Sequence, residues 1–199
     1  MIQFRGLVKF LLVFLVSFAV LILPWHGLQG AYASFYRFLG NTCFGSFSPV
    51  AGIELQALPA DDPAAKQGRD TKMVFLHRAS GISMPMAVDT RFQGYTPTAF
   101  VVALVLASPV PWRRRLRALV WCLAAMTFYV AVRQYIFIAS VIYHPAPWVS
   151  KLLDFAYWVV VESFAGVFII PVMIWAAVTF RRADLDGLRG TAALGARTR

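Results

Sequence analysis

The chain is poor in residues that bind metals or form cross-links. It has two cysteines, Cys43 and Cys122, and three histidines among 199 residues, without a CxxC motif or a Cys/His cluster. A structural zinc site needs four such ligands at short spacings. The sequence therefore predicts no structural metal site, and it contains no cofactor motif. The two cysteines fall in different regions, so we expect no disulfide between them.

Charged residues are also scarce. They make up 14% of the chain, against 59% hydrophobic residues, and the mean hydropathy is +0.65. Soluble domains usually carry about 25% charged residues. The composition argues against an ordinary soluble domain and is typical of an integral membrane protein.

The net charge of +10 does not indicate a nucleic-acid-binding protein, because the basic residues flank apolar runs. They lie on alternate sides of these runs, which is the pattern produced when one membrane face collects basic residues. We interpret them as a topology signal that is compatible with binding of anionic lipid headgroups. The residues concerned are Arg113, Arg114, Arg115, Arg117, Arg181 and Arg182.

Four apolar runs predict four transmembrane helices, at residues 7–25, 95–112, 118–143 and 152–180. The shortest uncharged run, 95–112, measures about 27 Å as a helix, close to the thickness of a hydrocarbon core. With the basic residues inside, both termini are cytoplasmic in a bacterial inner membrane. The first run followed by Ala31-Tyr32-Ala33 also fits a cleaved signal peptide, which is the alternative for this segment.

The polar region between the first two runs predicts a small periplasmic α/β insertion. Residues 29–39 predict a short helix with one apolar face, formed by Tyr32, Phe35, Tyr36 and Leu39, either interfacial or packed within this region. Segments 50–58, 71–78 and 83–92 predict a three-stranded antiparallel sheet that needs support from the helices.

The predicted fold is therefore a mainly α membrane protein in four parts. They are an anchor at residues 1–28, the periplasmic insertion at 29–94, a three-helix transmembrane bundle at 95–180 and a basic cytoplasmic tail at 181–199.

Two ionisable residues interrupt the last two apolar runs. Arg133 and Glu162 each lie ten residues, or about 15 Å, from the predicted outer end of their helices. Because the two helices are antiparallel neighbours, we expect the side chains at one depth, where an unpaired charge is costly. The pair is either an ion pair that fixes the helix register or a proton or ion relay.

A second candidate set lies near the predicted outer face. Cys43, His77, Arg91 and His144, with Arg78 nearby, supply the residue types that a cysteine nucleophile needs. Their spacing matches no strong motif, so a structural interpretation of each residue competes with a catalytic one.

Two segments carry a family resemblance. DTRFQGYTPTAFVVALVLASPVPWRRRL places Gly94-Tyr95 before an apolar run that ends in a small-Pro step and arginines, and SFAGVFIIPVMIW places Gly166 and Pro171 before Trp175. Both resemble segments of small exosortase-associated membrane proteins of the exosortase H-associated type. The resemblance implies an accessory partner of a membrane transpeptidase that processes sorted exported proteins.

Three functions follow as expectations. The first is a non-enzymatic accessory or assembly subunit that contacts membrane lipid and an exosortase-like protein, with no nucleic-acid partner. The second is a membrane-embedded cysteine peptidase or transpeptidase. The third is a small transporter or channel subunit that uses Arg133 and Glu162.

Overall fold

The computed structural model describes residues 2–23, 26–45, 51–77, 83–142, 147–163 and 165–180. This part of the chain is mainly helical with one small sheet. The helices are α1 (Ile2–Ile22), α2 (His26–Phe44), α3 (Thr96–Ala107), α4 (Trp112–Ile142), α5 (Pro147–Tyr157) and α6 (Ile170–Thr179). The strands are β1 (Ala51–Ala57), β2 (Thr71–His77) and β3 (Ser83–Val88).

The predicted three-stranded antiparallel sheet is confirmed. Its order is β1-β2-β3, with Ile53 opposite Phe75 and Met73 opposite Met86. Alternate residues on β1 and β2 are buried, as expected when one face of a sheet covers a core. That face packs on α2 and on the second half of α4, so the sheet does rest on helices.

The helix after the first apolar run is longer than predicted, and its buried face is shifted. It continues to Phe44 instead of ending at residue 39. Its buried stripe is Ala33, Tyr36, Gly40 and Phe44, whereas Phe35 of the predicted face is 39% exposed. The stripe follows the sheet, because Gly40 lies against Leu55 so closely that a Cβ would come within 2.8 Å of its side chain. Helix α2 is therefore a packed helix of this layer.

Asn41 covers the outer edge of β1. Its side-chain amide donates to the Leu55 carbonyl at 3.0 Å, and its side-chain oxygen accepts the Leu55 N–H at 2.7 Å. These are the backbone groups that an additional strand would bind at an open edge. One side chain thus fixes the position of α2 on the sheet.

The chain enters α3 through a capped turn and a π-helical segment, Arg91–Tyr95. The Asp89 carboxylate accepts the backbone N–H groups of Arg91 at 2.9 Å and Phe92 at 3.2 Å, which satisfies donors of the first helical turn. Burial raises the pKa of the Asp89 carboxyl, and these two N–H groups oppose that shift.

Helix α4 connects two apolar clusters. Its first half packs with α3 around Val101, Val105 and Cys122, and its second half enters the cluster under the sheet through Phe137 and Ile138. It begins at Trp112, so the four arginines after it belong to its first turns and not to a connecting turn as expected.

One continuous helix was predicted for the last apolar run, residues 152–180, but the structure shows an interrupted one. Helix α5 continues into the π-helical segment Trp158–Glu162, the backbone is extended at Ser163, and a second π-helical segment, Ala165–Ile169, leads into α6. Pro171 follows this π-helical segment closely and has no N–H to donate to a carbonyl one turn earlier. The interruption is at Ser163, three residues before Gly166.

By length and composition, one described helix, Trp112–Ile142, could cross a membrane by itself. Two further pairs of helices could each cross a membrane only if the two bent arms of the pair are counted as one span. These are residues 6–22 with 27–44, bent by 77°, and residues 148–161 with 166–179, bent by 57°.

We predict that Asn41→Ala lowers the free energy of unfolding by about 1–2 kcal/mol, because it leaves two backbone groups at the β1 edge without their partner. Thr42→Ala, on the exposed neighbouring position of the same helix, is the control and should change stability by less than about 0.5 kcal/mol. Chemical denaturation monitored by circular dichroism measures both. Equal stability of the two variants would contradict the role of Asn41.

Candidate functional site

Arg133 is the largest fully buried side chain in the described part of the chain, with 2% of its surface exposed. Its guanidinium joins two segments that are distant in sequence. Nη1 donates to the Gln93 carbonyl at 2.6 Å, and Nη2 donates to the Val161 carbonyl at 2.7 Å. The ring of Tyr129, one turn earlier on α4, lies 5.8 Å from the guanidinium carbon.

The carbonyls near the break at Ser163 need donors from outside their own helix. The Gly166 N–H bonds to the Ser163 carbonyl at 3.1 Å, so it does not continue the hydrogen-bond ladder of the preceding segment. The last carbonyls of a helix generally lack intrahelical partners. Arg133 supplies a donor to Val161, and the Tyr129 hydroxyl donates to the Gly166 carbonyl at 2.6 Å. The Val160 carbonyl lies 3.3 Å from the same hydroxyl.

A second set of contacts surrounds Gln93. The hydroxyl of Tyr36, from α2, donates to the Gln93 side-chain oxygen at 2.8 Å. The amide of Gln134, which follows Arg133, donates to the Tyr36 carbonyl at 3.3 Å. Tyr36, Gln93, Arg133 and Gln134, with Tyr129, form what we call the junction network. It joins α2, the entry to α3, α4 and the broken segment before α6.

The junction network lies between the sheet layer and the helical bundle. Arg133 lies beside Gln93, which comes shortly before the first residue of α3. Beyond Arg133, helix α4 continues under the sheet. Arg133 lies nine residues, or about 14 Å, before the last residue of α4, Ile142. The surroundings differ from the prediction, because that end of α4 is covered by the sheet.

The predicted ion pair between Arg133 and Glu162 stays a prediction. Arg133 binds the carbonyl of Val161, the residue directly before Glu162, so the two helices do pack at this level. The side chain of Glu162 lies outside the described atoms. The Arg133 Nε has no acceptor among the described residues.

The catalytic set of the alternative interpretation is divided along α2. Arg91 donates to the Ile22 carbonyl at 3.1 Å and lines a cleft with Gly30 and Ala33. The exposed Cys43 lies in the last turn of the same helix, about 15 Å beyond Ala33 along its axis. The side chains of His77 and His144 lie outside the described atoms, as does Arg78.

Two of the arginines assigned to topology also have internal partners. Arg114 donates to the Thr179 carbonyl at the end of α6 at 3.0 Å, and Arg115 donates to the Ser108 carbonyl at 2.9 Å. Cationic side chains commonly satisfy the last carbonyls of a helix in this way. Arg113 and Arg117 are exposed, and Arg181 and Arg182 lie outside the described residues.

Sequence reasoning missed most of the junction network. Gln134 was a detectable signal, because it places a second polar side chain beside Arg133 in an apolar run. Tyr36 was assigned to an apolar face, and its hydrogen-bonding role was not foreseen. Gln93 contributes its side-chain oxygen and its backbone carbonyl, and Val161 contributes its backbone carbonyl. Pro97 was a signal for the free Gln93 carbonyl, because a proline four residues later has no N–H to donate to it.

Comparisons with protein-family models, with curated proteins and with solved structures found no match.

We predict that Arg133→Met strongly destabilises the fold, because each buried carbonyl left without a donor costs about 1–3 kcal/mol. Arg133→Lys should recover only part of this loss, because one ammonium on a flexible stem does not reproduce the planar fork between two carbonyls. Thr127→Ala, at a half-buried position of α4 outside the junction network, is the control. Thermal unfolding of the purified protein compares the three. Wild-type stability of Arg133→Lys would contradict a requirement for the fork.

The close packing around Gly166 predicts whether alanine at this position raises or lowers the melting temperature. A Cβ at this position would lie 2.2 Å from the Val160 carbonyl oxygen, whereas a Cβ at Gly6 of α1 would have no atom within 4 Å. Alanine normally stabilises a helix relative to glycine by about 0.5–1 kcal/mol. We therefore expect Gly166→Ala to lower the melting temperature and Gly6→Ala to leave it unchanged or raise it. A rise for Gly166→Ala would show that the break is not packed as described.

Proposed function

We propose that the chain is a four-span protein of the bacterial inner membrane that acts as a non-enzymatic accessory or assembly subunit. The observation that carries this proposal is the use of the buried polar groups. Arg133, Tyr129 and Gln134 each donate to a backbone carbonyl, and Tyr36 donates to the Gln93 side chain, so each of these residues makes at least one hydrogen bond that stabilises the fold.

Exposed apolar side chains support a membrane location. A soluble protein seldom exposes large continuous apolar patches. Here such side chains cover the outer faces of α1, α4 and the region of α6. They include Leu7, Leu11, Leu12, Leu15, Val16, Val120, Trp121, Phe128, Ile169 and Met173, each at least 45% exposed.

The helices are assigned to four passes through the membrane. Helix α1 is the first, and the continuous helical stretch of residues 90–107, about 27 Å long, is the second. Helix α4 is the third, and the bent pair of α5 and α6 is the fourth, with its broken backbone buried against Arg133 and Tyr129. Interrupted helices persist at membrane depth where neighbouring groups satisfy the freed backbone. The basic turns of α4 then face the cytoplasm.

The proposed partner is an exosortase-like membrane transpeptidase. The support is that the two segments that resemble exosortase-associated proteins contact each other. The Trp175 indole donates to the Ser108 hydroxyl at 2.8 Å, and Arg114 joins the end of α6 to the start of α4. The residues behind the resemblance therefore form one structural unit. The separation of Cys43 from Arg91 favours this function over a cysteine transpeptidase.

The topology is tested by cysteine labelling in intact cells. Single cysteines placed at Ala60 to Gln67 should react with an impermeant reagent from the outside, and a cysteine at Thr191 should react only after permeabilisation. The background is Cys43→Ala with Cys122→Ala. Labelling of Thr191 in intact cells would contradict the proposed orientation.

The accessory role is tested by comparing a deletion with Cys43→Ala. Deletion of the chain should impair maturation of sorted exported proteins, and Cys43→Ala at normal abundance should restore maturation fully, because this chain supplies no nucleophile. A tagged chain, extracted in mild detergent, should copurify with a membrane transpeptidase that has its own catalytic cysteine. Loss of maturation in Cys43→Ala at normal abundance would favour the enzyme alternative.

A further inference from the structure

A cleft of about 370 Å³ opens between α2, the sheet and the entry to α3. Arg37 of α2 and Arg91 at the entry to α3 line it, together with Gln29, Gly30, Asp70 and Thr90. It lies beside the end of α1, because Arg91 donates to the carbonyl of Ile22 at 3.1 Å. The cleft is distinct from the junction network, which lies deeper between α2 and α4.

The cleft has more cationic donors than anionic acceptors. Arg37 donates to the Thr71 hydroxyl at 3.4 Å and to the Ser34 hydroxyl at 3.0 Å, both neutral groups. Within the described part of the chain, neither Arg37 nor Arg91 donates a hydrogen bond to a carboxylate; the Asp89 carboxylate, outside the cleft, interacts with Arg91 through its charge alone. Asp70, the acid in the lining, already accepts the Thr90 hydroxyl at 2.6 Å and the Thr90 N–H at 3.2 Å.

Gln29 gives a second, independent indication of a missing acceptor. Its amide nitrogen is buried and has no hydrogen-bond partner among the described residues. An unpaired buried donor is costly, and native structures seldom contain one without an explanation. The two guanidiniums that line the cleft are donors for a bound oxyanion, whereas the Gln29 amide nitrogen is closed off from solvent and would reach the anion only after its side chain moves.

We propose that this cleft binds a phosphate group, presented by an anionic lipid headgroup at the outer surface of the membrane. Guanidinium groups bind phosphate through strong charge-assisted hydrogen bonds. The cleft adjoins the C-terminal end of α1, a helix of apolar, exposed side chains, which places it at the level of lipid headgroups. The site depends on its own residues and holds whether or not the chain has a transpeptidase partner.

Gly30 permits a direct test, because it lines the cleft and an added Cβ would meet no atom within 4 Å. Gly30→Glu introduces a carboxylate beside the two arginines without a steric clash. Gly27→Glu introduces the same charge on the same helix, also into open space, at a position that does not line the cleft. The two variants add the same charge to the same helix, and the effect of ligand on each is measured against its own melting temperature without ligand.

The measurement is the thermal unfolding of the full-length protein in a neutral detergent, with added phosphatidylglycerol, phosphatidylcholine or inorganic phosphate. A ligand that binds only the folded state raises the melting temperature with its concentration. We expect phosphatidylglycerol to stabilise the wild type and Gly27→Glu, and to have at most a small effect on Gly30→Glu and on the double variant Arg37→Gln/Arg91→Gln. Phosphatidylcholine should have a weaker effect than phosphatidylglycerol on the wild type.

The arms of the experiment separate the possible sources of the phosphate. If inorganic phosphate gives the same shift as the lipid, and Gly30→Glu abolishes it, the anion site stands and its ligand is soluble. If phosphatidylglycerol stabilises Gly30→Glu and the wild type equally, or if no ligand shifts the wild type, the proposal is wrong. The Gly30→Glu comparison remains decisive even if the double arginine variant fails to fold.

Discussion

The structure depends on one guanidinium that bridges two backbone carbonyls. Arg133 reaches Gln93 at the entry to α3 and Val161 beside the break in the last apolar run, at 2.6 and 2.7 Å. The Gln93 carbonyl has no donor four residues later in its own helix, because residue 97 is a proline, and the Val161 carbonyl lies beside the break at Ser163. A buried charge is tolerated here because strong hydrogen bonds to oxygen replace part of its lost hydration.

The same interaction explains how a small sheet becomes part of the fold. Three short strands are marginal alone. The sheet covers α2 and the second half of α4, and the junction network connects these helices to the bundle through Tyr36 and Gln93. Asn41 fixes α2 to β1, which is an edge strand of the sheet. The polar residues of the chain thus join its layers.

The sequence predicted those features that repeat along the chain. The alternation in 50–58 and 71–78 was sufficient to predict the sheet, and uninterrupted apolar composition predicted the helices. Features that depend on single contacts were not predictable. The break at Ser163 requires Tyr129 and Arg133 as donors, and the extension of α2 to Phe44 requires the sheet beneath it. Charge complementarity suggested Glu162 as the partner of Arg133, whereas the described contacts are to carbonyls, because composition carries no information about backbone acceptors.

Solid-state NMR can test the role of Arg133 most directly, by measuring the distances from its guanidinium nitrogens to nearby carbon atoms. A sample with ¹⁵N in the arginine side chains and ¹³C in selected backbone carbonyls and glutamate carboxyls reports dipolar couplings between them. The account predicts strong couplings from Arg133 Nη1 to the Gln93 carbonyl carbon and from Nη2 to the Val161 carbonyl carbon. Absence of both couplings, with a strong coupling to the Glu162 carboxyl carbon in their place, would contradict it.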